Sequence, residues 1–158
     1  MYLTISDIPQ PQREHIARAL NGALGDTIAL HVACKTAHWN IKGPGANALH
    51  KLFDKVAGNA LARGDETAER ITALGALAQA TIPAIASASP LASYPIDTTR
   101  GDDHLRALHG HFAACAARLR SVRAICATSA DHATVQLLDA HLHDIERDAS
   151  FLSAHLDA

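Results

Sequence analysis

The stretch that decides the fold is ITALGALAQATIPAIASASPLASYPI, residues 71–96, which contains no charged side chain. Three prolines, Pro83, Pro90 and Pro95, interrupt it, and Gln, Thr and Ser residues are scattered along it. A membrane-spanning helix needs about 20 predominantly apolar residues, so this composition argues against a membrane span. We interpret the stretch as a buried connection with a short helix near residues 83–87.

Long amphipathic helices are predicted on both sides of this connection, because apolar residues recur there every three or four positions. The predicted helices run over residues 11–40, over 47–74, from Asp102 or Asp103 to 127, and onward from Asp131. Two helices, a long crossover and two more helices are the topology of a ferritin-like four-helix bundle. We therefore predict an all-α protein with one domain over residues 1–158.

The helix ends carry their own signals. Pro11 suits a first helical turn, and Gly43-Pro44-Gly45 breaks the chain after the first helix. We expect Asn47 to cap the start of the second helix and Gly75 to cap its end.

The composition excludes some classes of protein. The chain has 158 residues, of which 48% are apolar, enough for one core, and its formal charge of −2 is unlike that of a basic nucleic-acid-binding domain. Three cysteines without a CxxC pair (Cys34, Cys115, Cys126) favour buried thiols in a reducing compartment over disulfides or a thiolate metal site. The N-terminal residues lack the pattern of a signal peptide, so we expect a cytoplasmic protein.

Two side-chain pairs in the second predicted helix are candidate metal ligands. His50 and Asp54 are four residues apart, as are Asp65 and Glu69, so each pair shares a helix face. The eleven residues from Asp54 to Asp65 make about three turns, so both pairs face roughly the same way. Imidazole and carboxylate groups bind divalent metals, and His38 is a fifth candidate. The alternative is a solvated face of alternating charges.

The two pairs are too far apart to bind one ion within a single chain. Eleven residues separate Asp54 and Asp65 by roughly 16 Å along the axis, whereas metal–ligand bonds are about 2 Å long. Either the chain has two incomplete sites, or a second copy supplies the missing pair across a twofold axis near Asn59. Small or short side chains stand at this proposed helix crossing: Ala57, Gly58, Asn59, Ala60, Ala62 and Gly64.

Three strings of residues resemble the Dps family, the DNA-protection miniferritins. They are AHWNIKGP at residues 37–44, LHKLFD at 49–54 and DETAERITALG at 65–75. The resemblance implies a hollow dodecameric shell assembled from dimers. It also implies a ferroxidase that oxidises Fe(II), preferentially with hydrogen peroxide, stores the ferric product in the cage, and so protects against oxidative damage.

The resemblance also implies an iron site between two subunits. His38, His50 and Asp54 would come from one chain, and Asp65 and Glu69 from its twofold-related partner. Ligands of this kind also accept zinc, which is a possible competitor. The Glu-x-x-His pattern of di-iron sites inside a bundle is absent from the sequence, which favours the intersubunit site.

The resemblance places Trp39 beside the iron ligands, where it would intercept stray oxidant; the alternative is an aromatic anchor that packs the helix end. It also suggests that Asp131 helps to line an acidic pore. Six histidines of the third and fourth long helices are interpreted as surface side chains: His104, His109, His111, His132, His141 and His143. Asp139 with His143, or His109 with His111, could alternatively hold a secondary metal.

DNA is a doubtful partner. The first ten residues contain no Lys or Arg, and basic tails are what would release counterions from phosphates. We interpret Arg118, Arg120 and Arg123 as a solvated or ion-paired face, and expect weak or absent DNA binding at neutral pH. The alternatives to a ferroxidase are a non-enzymatic DNA-compacting shell protein and a zinc-binding helical assembly protein.

Overall fold

The computed structural model describes residues 1–89, 91 and 93–156, so Pro90, Ala92 and residues 157–158 of the predicted domain lie outside the described part. Within that part the regular structure is entirely helical. The five helices are α1 (Gln10–Asn40), α2 (Ala46–Ala73), α3 (Ile82–Ala88), α4 (Gly101–Thr128) and α5 (His132–Ser153). None of these helices is both long and apolar enough to cross a membrane.

Four long helices form the bundle, as predicted. α1 packs along α2 and α4, α4 packs along α5, and the short α3 of the crossover lies against α1. Phe53 and Phe112 are the largest wholly buried side chains of the core. The three cysteines are buried free thiols, as expected, and burial raises the pKa of Cys115 to about 12.

The crossover is less buried than its uncharged composition suggested. No residue of α3 is buried, and Leu77, Ile82 and Ile96 are exposed. The prediction of a buried connection is therefore wrong for the single chain, because the crossover runs over the outside of α1. The predicted short helix near residues 83–87 is confirmed as α3.

The turn between α1 and α2 begins the second helix differently from the prediction. α2 begins at Ala46, and Gly45 precedes it in the left-handed region at φ 74° with no side-chain cap. Asn47 is thus inside the helix, because the glycine turn itself sets the entry of the chain. At the other end, Gly75 has φ 84°, and Ala76 N–H donates to the Ile71 carbonyl at 3.1 Å. This is the glycine-terminated end that the sequence predicted.

A buried ion pair fastens α2 to α5 behind the outward face of α2. The guanidinium of Arg63 donates from Nη1 to Asp148 Oδ2 at 2.9 Å, and Asn59 Nδ2 donates to Asp148 Oδ1 at 2.9 Å. Asp148 is wholly buried and Arg63 is 5% exposed. Because burying charges is costly unless they are paired, these contacts fix how α2 sits on the bundle.

Candidate metal centre

His38 and His50 face each other across the glycine turn that joins α1 to α2. Their rings are stacked, with centroids 3.7 Å apart and an interplanar angle of 26°. Nδ1 of His38 lies 2.9 Å from the His50 carbonyl, and Nδ1 of His50 lies 2.8 Å from the His38 carbonyl. Each histidine therefore holds the backbone of the other.

These reciprocal hydrogen bonds decide which ring nitrogen is available to a metal. A carbonyl only accepts, so Nδ1 must carry the proton in both rings. In the neutral imidazole this leaves the lone pair on Nε2. Hydrogen bonding of one ring nitrogen to a backbone carbonyl is the usual way in which metal-binding histidines are oriented. His38 and His50 are thus prepared as two Nε2 donors.

Asp54 lies one turn further along α2, on the same side. Its Oδ1 is 4.0 Å from His38 Nδ1 and only 2.7 Å from the ammonium of Lys35. The hydrogen bond from Lys35 lowers the pKa of Asp54. Sequence reasoning missed Lys35, although its position one helical turn before His38 places it on the same face.

Asp65 and Glu69 continue this line along the exposed face of α2, three turns beyond Asp54. Asp65 borders a shallow depression that is also lined by Gly58 and Leu61. Within the described part of one chain, no three His, Cys, Asp or Glu side chains converge on a common point where they could hold a metal ion. One chain thus carries two separate groups of candidate ligands.

The proposed small-residue crossing is only partly on the outside. Ala57, Ala60 and Gly64 are buried in the chain's own bundle, and Asn59 is bonded to Asp148. The interpretation of Ala57, Ala60 and Gly64 as crossing residues is wrong, because the helical period turns them inward, whereas Asn59 is half-buried. The exposed residues between the two ligand groups are Lys55, Gly58, Leu61 and Ala62, and a Cβ added at Gly58 meets nothing within 4 Å.

Comparison with known proteins gives the family. Residues 17–158 match the family profile described as a ferritin-like domain. A DNA protection during starvation protein from Agrobacterium fabrum is 32% identical over 153 residues, covering 97% of this chain and 94% of that protein. The chain belongs to the Dps family of ferritin-like proteins. The resemblance inferred from its three sequence strings is confirmed.

Solved structures agree with the family assignment. The Dps-family chain superposes on DpsA14 from Streptomyces coelicolor with a TM-score of 0.92 at 30% identity, covering 98% of this chain and 91% of that one. Mycobacterium smegmatis Dps gives a TM-score of 0.93 at 27% identity, with 100% and 90% coverage. The ferritin-like bundle with one crossover is therefore the fold of this chain.

Trp39 stands next to the candidate ligands in this Dps-family chain but does not pack the end of its helix. Its side chain is 66% exposed, and its ring centroid lies 5.6 Å from the Lys35 ammonium. The interpretation as a packing anchor is thus wrong for the single chain.

Several of the remaining histidines are not surface side chains, contrary to the prediction. His104, His111 and His141 are buried, and His141 bonds to Glu66 through Nε2 at 2.8 Å. A secondary metal at Asp139 is disfavoured by its pairing with Arg123. The helical period predicts that α4 and α5 each have one buried and one exposed face, but a histidine occurs on either face, so the period alone does not place these side chains.

The charged residues suggested for DNA and for a pore are also engaged within the Dps-family chain. Each arginine of the α4 face pairs with a carboxylate: Arg118 with Asp26, Arg120 with Glu146 and Arg123 with Asp139. In the first pair, Nε of Arg118 lies 2.7 Å from Oδ2 of Asp26. The interpretation of these arginines as an ion-paired face is confirmed. Asp131 is 2% exposed and pairs with Arg70 at 2.8 Å. The suggestion that Asp131 lines an acidic pore is therefore wrong for this residue.

Proposed function

We propose that this Dps-family protein is a ferroxidase that oxidises Fe(II), with hydrogen peroxide as the preferred oxidant, and stores the ferric product in a hollow dodecameric cage built from dimers. Iron is its substrate and cargo, and its activity protects cytoplasmic components from oxidative damage. The observation that carries the proposal is the pair His38–His50, whose Nδ1 hydrogen bonds leave the lone pair of each ring on Nε2, one helical turn before Asp54.

The second half of each site comes from the partner in this proposal. Asp65 and Glu69 lie on the same outward face of α2, roughly 16 Å from Asp54 by helical rise. An antiparallel α2 of a twofold-related copy brings its Asp65 and Glu69 opposite His38, His50 and Asp54, and forms two identical sites per dimer. Imidazole and carboxylate donors suit iron, and zinc competes for them.

DNA binding at neutral pH is weak or absent in this proposal. The arginines of the α4 face are paired with carboxylates of the same chain, so few are available to displace counterions from phosphates. A mobility shift at pH 7.5 and physiological salt would contradict this part.

The activity is tested by adding Fe(II) anaerobically and then pulsing hydrogen peroxide while ferric absorbance is recorded. Wild type should oxidise the iron far faster than a protein-free control, and faster with peroxide than with dioxygen. Asp65→Ala/Glu69→Ala should lose this advantage. A matched control, Asp102→Ala/Asp103→Ala, removes the same charge from α4 and should keep it. Wild-type oxidation no faster than buffer would remove the ferroxidase.

The intersubunit origin of the site has a sharper test by complementation. The variants His50→Ala/Asp54→Ala and Asp65→Ala/Glu69→Ala should each be inactive alone. Half of the dimers in an equal mixture are mixed dimers, each with one intact and one doubly damaged site. Co-refolding should therefore restore about a quarter of the sites. A mixture as inactive as its two components would show that the sites are not shared between chains.

A further inference from the structure

Tyr94 of the crossover forms a close pair with His104 of α4, outside the candidate metal centre. The Tyr94 hydroxyl lies 2.7 Å from Nδ1 of His104, and the two rings are almost parallel, with an interplanar angle of 13° and centroids 5.9 Å apart. His104 is wholly buried. On its other side His104 meets the edge of Phe53, at a centroid distance of 6.1 Å.

The direction of the Tyr94–His104 hydrogen bond follows from the partners around it. The described structure offers the Tyr94 hydroxyl no acceptor other than Nδ1 of His104. The phenol therefore donates, and the imidazole carries its own proton on Nε2, which is buried and has no hydrogen-bond partner among the described residues. Burial lowers the pKa of His104. Burial, with a smaller effect from nearby Cys34, raises the pKa of Tyr94.

This environment couples loss of an electron from Tyr94 to loss of its proton. A half-buried phenol with a raised pKa is not available as a phenolate near neutral pH, so Tyr94 must be oxidised from its protonated form. A phenol that has lost one electron is a strong acid, and here a neutral imidazole already accepts its hydrogen bond. The proton can move along that bond without reaching water.

We propose that Tyr94 and His104 form a proton-coupled redox pair that quenches one-electron oxidants of the hydroxyl-radical class. The O–H bond of Tyr94 breaks, its proton forms an N–H bond at Nδ1 of His104, and its electron reduces the oxidant, which takes a proton from solvent to become water. An electron from Fe(II), with return of the proton from His104, restores the pair and leaves Fe(III).

The pair lies behind the candidate metal centre. Phe53, which contacts His104, directly precedes Asp54 in α2. One helix thus separates the outward ligands from the pair, and a helix with its side chains is about 10–12 Å across. The inference rests on the proposed ferroxidase only for the source of the oxidant and of the restoring electron. The redox chemistry of the pair stands on its own.

The test uses metal-free protein and a photo-oxidised ruthenium polypyridyl complex as the one-electron oxidant, followed by freezing and electron paramagnetic resonance. The chain has two tyrosines and one tryptophan, so Tyr94→Phe, Tyr2→Phe and Trp39→Phe assign every aromatic radical. We expect a neutral tyrosyl signal that is lost in Tyr94→Phe and retained in Tyr2→Phe. A signal unchanged in Tyr94→Phe would overturn the proposal.

His104→Gln separates proton acceptance from structural support. The glutamine amide can still accept a hydrogen bond, but it is not a base, so the Tyr94 radical should be lost while circular dichroism and thermal unfolding change little. A variant that forms the radical as well as wild type would refute the role of His104. Electron–nuclear double resonance on wild type needs no variant, and should show one exchangeable proton hydrogen-bonded to the radical oxygen.

A second arm replaces the ruthenium complex with Fe(II) and hydrogen peroxide. A Tyr94 radical in the photochemical arm supports the redox pair whatever the iron arm gives. If the photochemical arm succeeds and iron oxidation is no faster than in buffer, the failure belongs to the ferroxidase and not to the pair. Absence of the radical in the photochemical arm refutes the pair even if iron is oxidised rapidly.

Discussion

Replacement of Asp148 by alanine should destabilise the protein strongly, because it breaks the buried contact that fastens α2 to α5. The substitution removes the acceptors of Arg63 Nη1 and Asn59 Nδ2. Arg63 Nη2 has no hydrogen-bond partner among the described residues, so both terminal nitrogens of this guanidinium would then be unpaired. Arg147 also loses a carboxylate oxygen 3.8 Å away. The guanidinium of Arg63 would remain buried without a counter-charge.

The expected loss follows from that burial. Removing one partner of a buried ion pair costs about 3–5 kcal/mol of unfolding free energy. For a chain of this size each kcal/mol lowers Tm by about 2–4 °C, so Tm should fall by roughly 6–20 °C. Asp139→Ala, which breaks the exposed pair with Arg123, should have a much smaller effect.

The assay is thermal unfolding followed by circular dichroism, at one protein concentration because assembly couples to stability. Asp148→Leu/Arg63→Met removes both charges and should recover most of the lost Tm, since an apolar pair of similar volume replaces a buried ion pair at little cost. A Tm of Asp148→Ala within about 3 °C of the wild-type Tm would correspond to a loss of less than about 2 kcal/mol of unfolding free energy. That result would refute the claim that the substitution leaves an uncompensated buried charge.

Three further predictions concern the site, the acid response and the outward face of α2. Lys35→Met should remove the ammonium that competes with a metal for Asp54 and restore the pKa of that carboxyl toward its ordinary value. The Fe(II) concentration for half-maximal oxidation should therefore fall. An unchanged or higher concentration would contradict this prediction. Because burial lowers the pKa of His141 in the folded chain, the unfolded chain binds the extra proton more readily, so unfolding free energy should fall as pH drops below about 6.5. His141→Gln should flatten that dependence in denaturant titrations from pH 7.5 to 5, and an equal slope in both proteins would argue against it. Gly58→Leu should leave the single chain folded, since nothing lies within 4 Å of an added Cβ. It should nevertheless prevent two α2 helices from meeting and abolish the dimer in native mass spectrometry. The matched control is Gly110→Leu on α4, where an added Cβ also meets nothing within 4 Å, and it should keep the dimer.

The sequence contains most of what determines the bundle, because helical period and breakers are local signals. Residues 43–45 and Gly75 end helices by their backbone conformation, which any reader of the sequence can anticipate. The sequence predicts a cap at Asn47, but Gly43 and Gly45 in the left-handed region already turn the chain into α2, so no side-chain oxygen is needed.

The candidate site was predictable along one helix and less so between helices. The spacing of His50 and Asp54 places them on one face, and the structure keeps them there. The contact of Lys35 with Asp54 and the pairing of Arg63 with Asp148 join residues 19 and 85 positions apart. Such contacts depend on how helices pack, which periodicity does not encode. For the same reason the sequence predicts surface positions for His104 and His141, although both side chains are buried.

The exchange of hydrogen bonds between His38 and His50 also links the backbone of the α1–α2 turn to binding of an ion at the proposed site. Each ring is tied to the carbonyl of the other residue, so a ring cannot swing away from an ion without releasing the backbone at the opposite side of the turn. Ion occupancy and fraying of the two helix ends are therefore thermodynamically linked. Amide protons around this turn should exchange more slowly with solvent deuterium when an ion occupies the proposed site, so the turn would report binding of iron there.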